Sequence, residues 1–214
     1  MSKKKAVLFD LDGTLIDTKD LILSSFRKAS QAILGKEIPD EEVLPLIGIP
    51  LLEQAYILAP EHAEELIDSY RQFNIELHEE LIRSFDGITE LLEALLAKER
   101  RLAVVTSKRN IPAMEGLESF NLQGYFEFVS GMEESHKHKP NPEPLLVAAK
   151  RMGEDIADCI YVGDSIYDML AARAAGAVAV AVLWGVSSRE ELLKAGAQFE
   201  AATPAELLCI LEDM

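Results

Sequence analysis

Cysteine is scarce in this chain: Cys159 and Cys209 are the only two in 214 residues. Two are too few for a disulfide framework, and they lack metal-ligand spacing. Both sit in apolar stretches, so buried, reduced thiols and a cytoplasmic setting are expected. Positive charge is scarce as well, with 21 Lys and Arg against 37 Asp and Glu and a formal net charge of -16. A field of that sign repels phosphate backbones and anionic lipid heads, which argues against nucleic acid and membrane as partners. Long apolar runs are missing too. After the basic stretch Met1 to Lys5, which reads as a solvated lead-in, Ala6 to Phe9 is cut off by Asp10. That is too short for a signal peptide or a spanning helix. Internal repeats and low-complexity tracts are also absent. What remains is a globular chain, 49% apolar, able to bury a substantial core. An anionic ligand would need local positive charge from a few side chains or a metal, against the overall field.

Short, partly β-branched apolar runs recur at Ala6 to Phe9, Leu102 to Val105, Phe126 to Val129, Ile160 to Val162 and Val178 to Leu183. Their length and composition predict buried parallel strands. The intervening segments have helical period and caps. Asn141 with Pro142 and Glu143, for example, predicts a helix through Arg151 with Asn141 as N-cap. Alternating strands and helices predict a doubly wound, mainly parallel α/β sheet of Rossmann type.

One interval breaks the rhythm, because no convincing strand lies between Phe9 and Leu102. Leu21, Ile22, Phe26, Ala29 and Ile33 form one helical stripe, and Ala63, Leu66, Ile67, Tyr70 and Ile75 suggest another. Residues 18–84 therefore read as an inserted all-helical cap, with 1–17 and 85–214 forming the core. Phe85-Asp86-Gly87 is the return turn, and Ile88 to Ala97 a core helix.

Chemistry-bearing residues gather at predicted strand ends. Asp10 and Asp12 are two apart in an extended segment, so both carboxylates face one side. They lie beyond the carboxyl end of the first strand, where open α/β sheets bind ligands. Asp12-Gly13 is also an ordinary turn signal. Thr106-Ser107 closes another core strand and suits either a helix cap or a ligand contact. Lys139 precedes a helix, where a lysine is commonly just solvated. Asp164 and Asp168 follow a further strand, and a turn plus an N-cap would also explain them. The order of these features, each beside a core strand, is what a chance reading does not account for.

In that order, Asp10-x-Asp12-Gly13-Thr14, Thr106, Lys139-Pro140 and Gly163-Asp164-x-x-x-Asp168 resemble the four motifs of the haloacid dehalogenase superfamily over nearly the whole chain. The resemblance implies a Mg²⁺-dependent phosphatase acting on a small phosphorylated metabolite. Asp10 would be the nucleophile, forming an aspartyl-phosphate, and Asp12 the general acid and then base. Thr106 and Lys139 would complete the catalytic set, stabilising the phosphoryl charge. Asp10, the Asp12 backbone carbonyl and Asp164 would bind Mg²⁺, with Asp168 supporting or coordinating through water. Gly13, Thr14, Ser107 and Lys108 would lie against the substrate. The dehalogenase and phosphonatase branches lack an aspartate at the position of Asp12, which leaves hydrolysis or sugar-phosphate mutation. A catalytically inactive phospho-ligand binder shares the fold, although its motifs are usually broken.

The tail Leu183-Trp184-Gly185 with Ser188-Arg189-Glu190-Glu191-Leu192 is similar to phosphoglycolate phosphatases. The cap segments Asp20-Leu21-Ile22, Glu42-Val43-Leu44-Pro45 and Ser69 to Asn74 with His78 are similar to a related inorganic pyrophosphatase. Phosphoglycolate and pyrophosphate are thus the implied substrates, with a monomer or weak homodimer expected. Arg71 is the cap residue whose guanidinium suits a carboxylate or second phosphate, against its reading as a solvated helix arginine. Ile47-Gly48-Ile49-Pro50 could dip towards the site. His136 and His138 read as solvated loop residues.

Overall fold

The computed structural model describes residues 6–214, so the basic lead-in lies outside the described residues. The strands are β1 (Ala6–Phe9), β2 (Ile16–Asp17), β3 (Arg83–Ser84), β4 (Arg101–Val105), β5 (Val129–Ser130), β6 (Cys159–Gly163), β7 (Val178–Val182) and β8 (Phe199–Ala201). The helices are α1 (Lys19–Leu34), α2 (Asp40–Val43), α3 (Leu51–Leu58), α4 (Ala63–Leu81), α5 (Ile88–Ala97), α6 (Asn110–Glu118), α7 (Glu143–Met152), α8 (Ile166–Ala175), α9 (Arg189–Ala195) and α10 (Pro204–Glu212).

Six strands form one sheet in the order β5-β4-β1-β6-β7-β8, and every pairing in it is parallel. Side chains alternate across each strand, so the sheet is buried on both faces. Val7, Phe9, Leu102, Val104, Ile160 and Val162 pack with helix residues such as Leu92, Leu117 and Leu207 on one face. Ala6, Leu8, Ala103, Val105, Cys159 and Tyr161 pack with Leu145, Met169 and Leu192 on the other. The small side chains at Ala6, Ala103, Ala179 and Ala181 leave room for α7 and α8 to approach closely. From β1 the chain builds outward through β4 and β5, then returns to build β6, β7 and β8 on the other side. The reversal of direction at β1 opens a crevice at its carboxyl end, and that is where Asp10 lies.

Four expectations need correction. Phe126 to Val129 is not a full strand: only Val129 and Ser130 pair with β4. Glu127 N–H and the Phe128 carbonyl still bond to Leu102 and Val104, so the segment runs along an edge where pairing is incomplete. The stretch before Leu102 is not free of strands either. β2 and β3 pair antiparallel, Ile16 with Ser84 and Asp17 with Arg83, tying the exit and return of the helical insert together. Two residues per strand are below what alternation can signal. The edge strand β8 was likewise not anticipated. The N-cap of α7 is Pro142, not Asn141, although Asn141 Oδ1 accepts the Glu143 N–H at 3.0 Å.

Between β2 and β3 the helices have their own apolar core, in which Phe26, Ala29, Ala55, Leu66 and Ile67 meet. Ile75 was expected on that stripe, yet it is 76% exposed. Cys209 is exposed, against expectation, and no disulfide is formed. Among the described residues, no helix is long and apolar enough to cross a membrane.

Candidate active site

The end of β1, the loops after β4 and β6 and the segment before α7 meet at the crevice. Asp10 is the residue directly after β1, and its N–H donates to the Val162 carbonyl at 2.8 Å. Lys139, whose position before a helix suggested a solvated side chain and whose motif suggested a catalytic one, is 2% exposed. Its ammonium donates to Asp10 Oδ1 at 2.7 Å, Asp168 Oδ1 at 2.6 Å and the Tyr161 hydroxyl at 3.0 Å. These contacts use all the donors of an ammonium. Burial works against its charge, but Asp10 and Asp168 outweigh that and hold its pKa well above the usual lysine value.

Asp168 joins two explanations that the sequence left as alternatives. With Ser165 it forms a capping box at the start of α8, its Oδ2 accepting from Ser165 N–H at 2.9 Å and Oγ at 2.6 Å. Its Oδ1 faces Lys139 and Tyr161. Both oxygens are therefore engaged by protein donors, which suits it to holding neighbours in place.

Asp164 is 1% exposed. It accepts from the Thr14 hydroxyl at 3.0 Å and from the Val186 N–H at 2.8 Å. Burial, then the charge of Asp168, pushes its pKa up to about 7, despite those two donors. Gly13 and Gly185 make room for this carboxylate: a Cβ on either would come within 2.3 Å or 2.2 Å of it. Gly13 also has φ +81°, a conformation that glycine adopts without strain. Thus the structure places Gly13 and Thr14 around Asp164. The Thr14 hydroxyl, expected against the substrate, is committed to that side chain.

Asp12 and Lys108 form a partly exposed ion pair at 2.8 Å. Thr106 Oγ1 accepts the Lys108 N–H at 3.1 Å, which leaves its proton for an incoming group. Ser107, expected to touch substrate, donates to the Gly48 carbonyl at 2.6 Å instead, so it links core to insert. The Ile47-Gly48 loop does dip to the site, and a Cβ on Gly48 would lie 2.7 Å from Ser165 Oγ. The Tyr167 hydroxyl reaches the Pro45 carbonyl at 2.8 Å. A cleft of about 1100 Å³ opens here, and Asp10, Asp12, Thr106, Lys139 and Asp164 line it together with Tyr70, Arg71, Asn74 and His78 from the insert. Arg71 stands near Asp68 at 3.5 Å and is half exposed. The loop histidine His136 is exposed and His138 partly so.

Tyr161 was missed by sequence reasoning, although a phenol inside a buried strand needs a polar partner. Its hydroxyl lies 3.0 Å from both the Val105 carbonyl and Asp168 Oδ1. Tyr161→Phe is expected to cost about 1–3 kcal/mol, by stranding a buried carbonyl and loosening Lys139. At roughly 2–4 °C per kcal/mol for a chain of this size, a thermal melt checks it. An unchanged melting temperature would count against the network as a structural support.

For Asp10 and Asp164, burial outweighs the pull of the one ammonium. Oxygens of Asp10, Asp164 and Asp168 come within 4.8 Å of one another, and Lys139 pairs with Asp10 and Asp168. Burial, with Asp168 and Asp164, drives the Asp10 pKa well above the carboxylate range, although Lys139 pulls it down. Such an excess of negative oxygen donors fits a hard divalent cation.

Comparison with known proteins agrees with this geometry. A family model for haloacid dehalogenase-like hydrolases matches residues 7–182. PpaX of Caldanaerobacter subterraneus subsp. tengcongensis is 41% identical over 192 residues, 90% of this chain and 87% of the relative. Pyrophosphatase PpaX of Listeria innocua is 33% identical over 216 residues, 99% of this chain and 98% of the relative. The crystal structure of a hydrolase from Pseudomonas syringae superposes with a TM-score of 0.89 at 29% identity, covering 98% of this chain and 99% of that one. A predicted phosphoglycolate phosphatase from Haemophilus somnus gives 0.85 at 27% identity, covering 98% and 99%. With its motif residues gathered at one crevice and its whole length matched, this chain belongs to the haloacid dehalogenase-like hydrolase family.

Proposed function

We propose that this hydrolase cleaves small phosphorylated substrates, pyrophosphate foremost, by phosphoryl transfer to Asp10. The observation that carries the reading is the placement of Asp10: one carboxylate oxygen is anchored by Lys139 at 2.7 Å, at the floor of a cleft that Asp12 and Thr106 also line. Anchoring one oxygen leaves the other to attack phosphorus in line. Asp12 has Lys108 as its only ion-pair partner among the described residues, so it is held beside Asp10 yet apart from the buried cluster. It is placed to protonate the leaving oxygen and then to take a proton from the hydrolytic water. Thr106 has its hydroxyl proton to offer to a phosphoryl oxygen, and Lys139 supplies charge from beneath.

Asp10 and Asp164 would hold Mg²⁺, with Asp168 fixing Lys139 behind them. The ion, when bound, supplies positive charge that offsets repulsion between carboxylate and phosphate. Pyrophosphate is preferred because the full-length likeness to pyrophosphatase PpaX of Listeria innocua includes the cap. The H. somnus neighbour favours phosphoglycolate as the second substrate. The antiparallel pair β2 and β3 supports treating 18–84 as a cap domain, and a chain without disulfides suits the cytoplasm.

The test is phosphate release from pyrophosphate, phosphoglycolate, hexose phosphates and nucleotides, with Mg²⁺ and after chelation. Release is expected to be fastest from pyrophosphate and to fall at least roughly 10²-fold on chelation, by analogy with loss of preorganised charge stabilisation. Release indifferent to chelation would sink the metal's role. Isomerised hexose phosphate with little free phosphate would indicate a mutase.

A further inference from the structure

The cap carries a hydrogen-bond relay that ends in the cleft. Ser25 Oγ, on α1, donates to the Leu21 carbonyl at 2.6 Å, which commits its proton. Its lone pair is therefore what Asn74 Nδ2 meets at 3.3 Å. This fixes which end of the Asn74 amide faces Ser25, a choice that only the surrounding bonds can decide. The same Nδ2 donates to the Tyr70 hydroxyl oxygen at 3.3 Å. Tyr70 thus accepts from the cap, and among the described residues no protein acceptor is recorded for its proton.

Other features fix the phenol and aim it. Its ring lies against Phe26, with centroids 4.6 Å apart, and it is partly buried in the cap core. Tyr70 and Asn74 are one turn apart on α4, and both line the cleft with Asp10 and Asp12. Burial, and then the charge of Asp12, pushes the phenol's pKa upward, so the hydroxyl stays protonated around neutrality. A neutral donor, its acceptor side occupied from behind, is thereby held in the wall of the cleft that Asp12 also lines.

We infer that Tyr70 is a specificity residue of the cap, whose hydroxyl donates to an acceptor oxygen on the leaving group, selecting phosphorylated substrates whose departing portion carries a phosphoryl or carboxylate oxygen. This rests on the hydrolase reading above and deepens it. The proton stays on Tyr70 throughout, since Asp12 handles proton transfer to the bridging oxygen. A departing group without such an oxygen, as in phenyl phosphate, gains nothing from the contact.

The experiment compares native protein with Tyr70→Phe on pyrophosphate, phosphoglycolate and phenyl phosphate, in Mg²⁺, with melting temperatures recorded. The variant is expected to lose roughly 10- to 100-fold in kcat/KM on the first two, as for one hydrogen bond to a charged acceptor, and to keep its rate on phenyl phosphate. An equal loss on all three substrates would show a merely structural role and overturn the inference, as would no loss on any. Should Tyr70→Phe fail to fold, Asn74→Asp serves instead. A carboxylate at that position accepts the phenol's proton and withdraws it from the cleft, and the same selective loss is expected. Native protein that releases phosphate from none of the three would overturn the hydrolase reading and this inference together. Normal native turnover with unselective variants overturns the inference alone.

Discussion

Asp10→Asn is expected to reduce turnover by about 10⁴-fold or more, as removal of a nucleophile does elsewhere, while leaving the chain folded. A carboxamide has the shape of the carboxylate, and its oxygen can still accept from Lys139. What it lacks is the anionic oxygen needed to form an acyl phosphate. The effect on stability has the opposite sign. Asp10 and Asp168 pair with Lys139, and Asp164 stands close to both carboxylates; burial, with the charges of those two carboxylates, raises the Asp10 pKa against the pull of Lys139. Replacing it with a neutral group relieves repulsion that the native site retains for function. The melting temperature without metal is therefore expected to match or exceed that of the native chain. Phosphate release near the native rate would rule out Asp10 as nucleophile, and a lower melting temperature would contradict the charge argument.

Lys139→Ala is expected to be damaging on both counts. Turnover falls at least roughly 10²-fold, by analogy with loss of one preorganised donor. Stability falls as well, because the two salt bridges are almost wholly buried, with side-chain exposures of 0 to 5%. Removing one partner of a buried pair typically costs about 3–5 kcal/mol, since Asp10 and Asp168 are left facing each other without a cation. The contrast with Asp10→Asn is diagnostic: one variant is inactive and stable, the other inactive and unstable. Adding Asp168→Asn to Lys139→Ala should recover part of the lost stability but none of the activity, which a melt and a release assay would show. Near-normal turnover in Lys139→Ala would sink its assignment.

The first strand, the reversal point of the sheet and the helices between β2 and β3 were legible because each has a strong local signal. Ala6 to Phe9 is a bounded apolar run, Asp10 and Asp12 share a side by simple alternation, and Phe26 and Leu66 lie on amphipathic stripes. Edge elements were less so. β2, β3, β5 and β8 are two or three residues long, and their pairing is set by long-range contacts that no local period encodes. Ile75 continues the apolar spacing of α4, yet it borders the cleft and is exposed there.

Within the site, residue types pointed to strand ends that line one cleft, but not to the partners each side chain has there. By position alone Lys139 looked like a loop lysine, and only the family resemblance tied it to Asp10, 129 residues away, which bonds it. Thr14 and Ser107 stand in motifs that suggest ligand contact, whereas their hydroxyls meet Asp164 and the Gly48 carbonyl. A hydroxyl's direction is decided by what lies within 3 Å, and that is a property of the fold. Tyr161 was the one omission with a usable cue, its polar tip inside a buried strand.

The core's hydrogen bonds to the loop of residues 45–48 go to its main chain: Ser107 and Tyr167 bond carbonyls, not side groups. Pro45 and Leu46 are therefore free to drift without loosening the join. Ile47, whose side chain is buried, and Gly48, where any larger residue strikes Ser165, are the exceptions. A designer seeking to alter what enters the cleft can rewrite Pro45 and Leu46 and still expect the loop to seat, provided that the other two positions are kept.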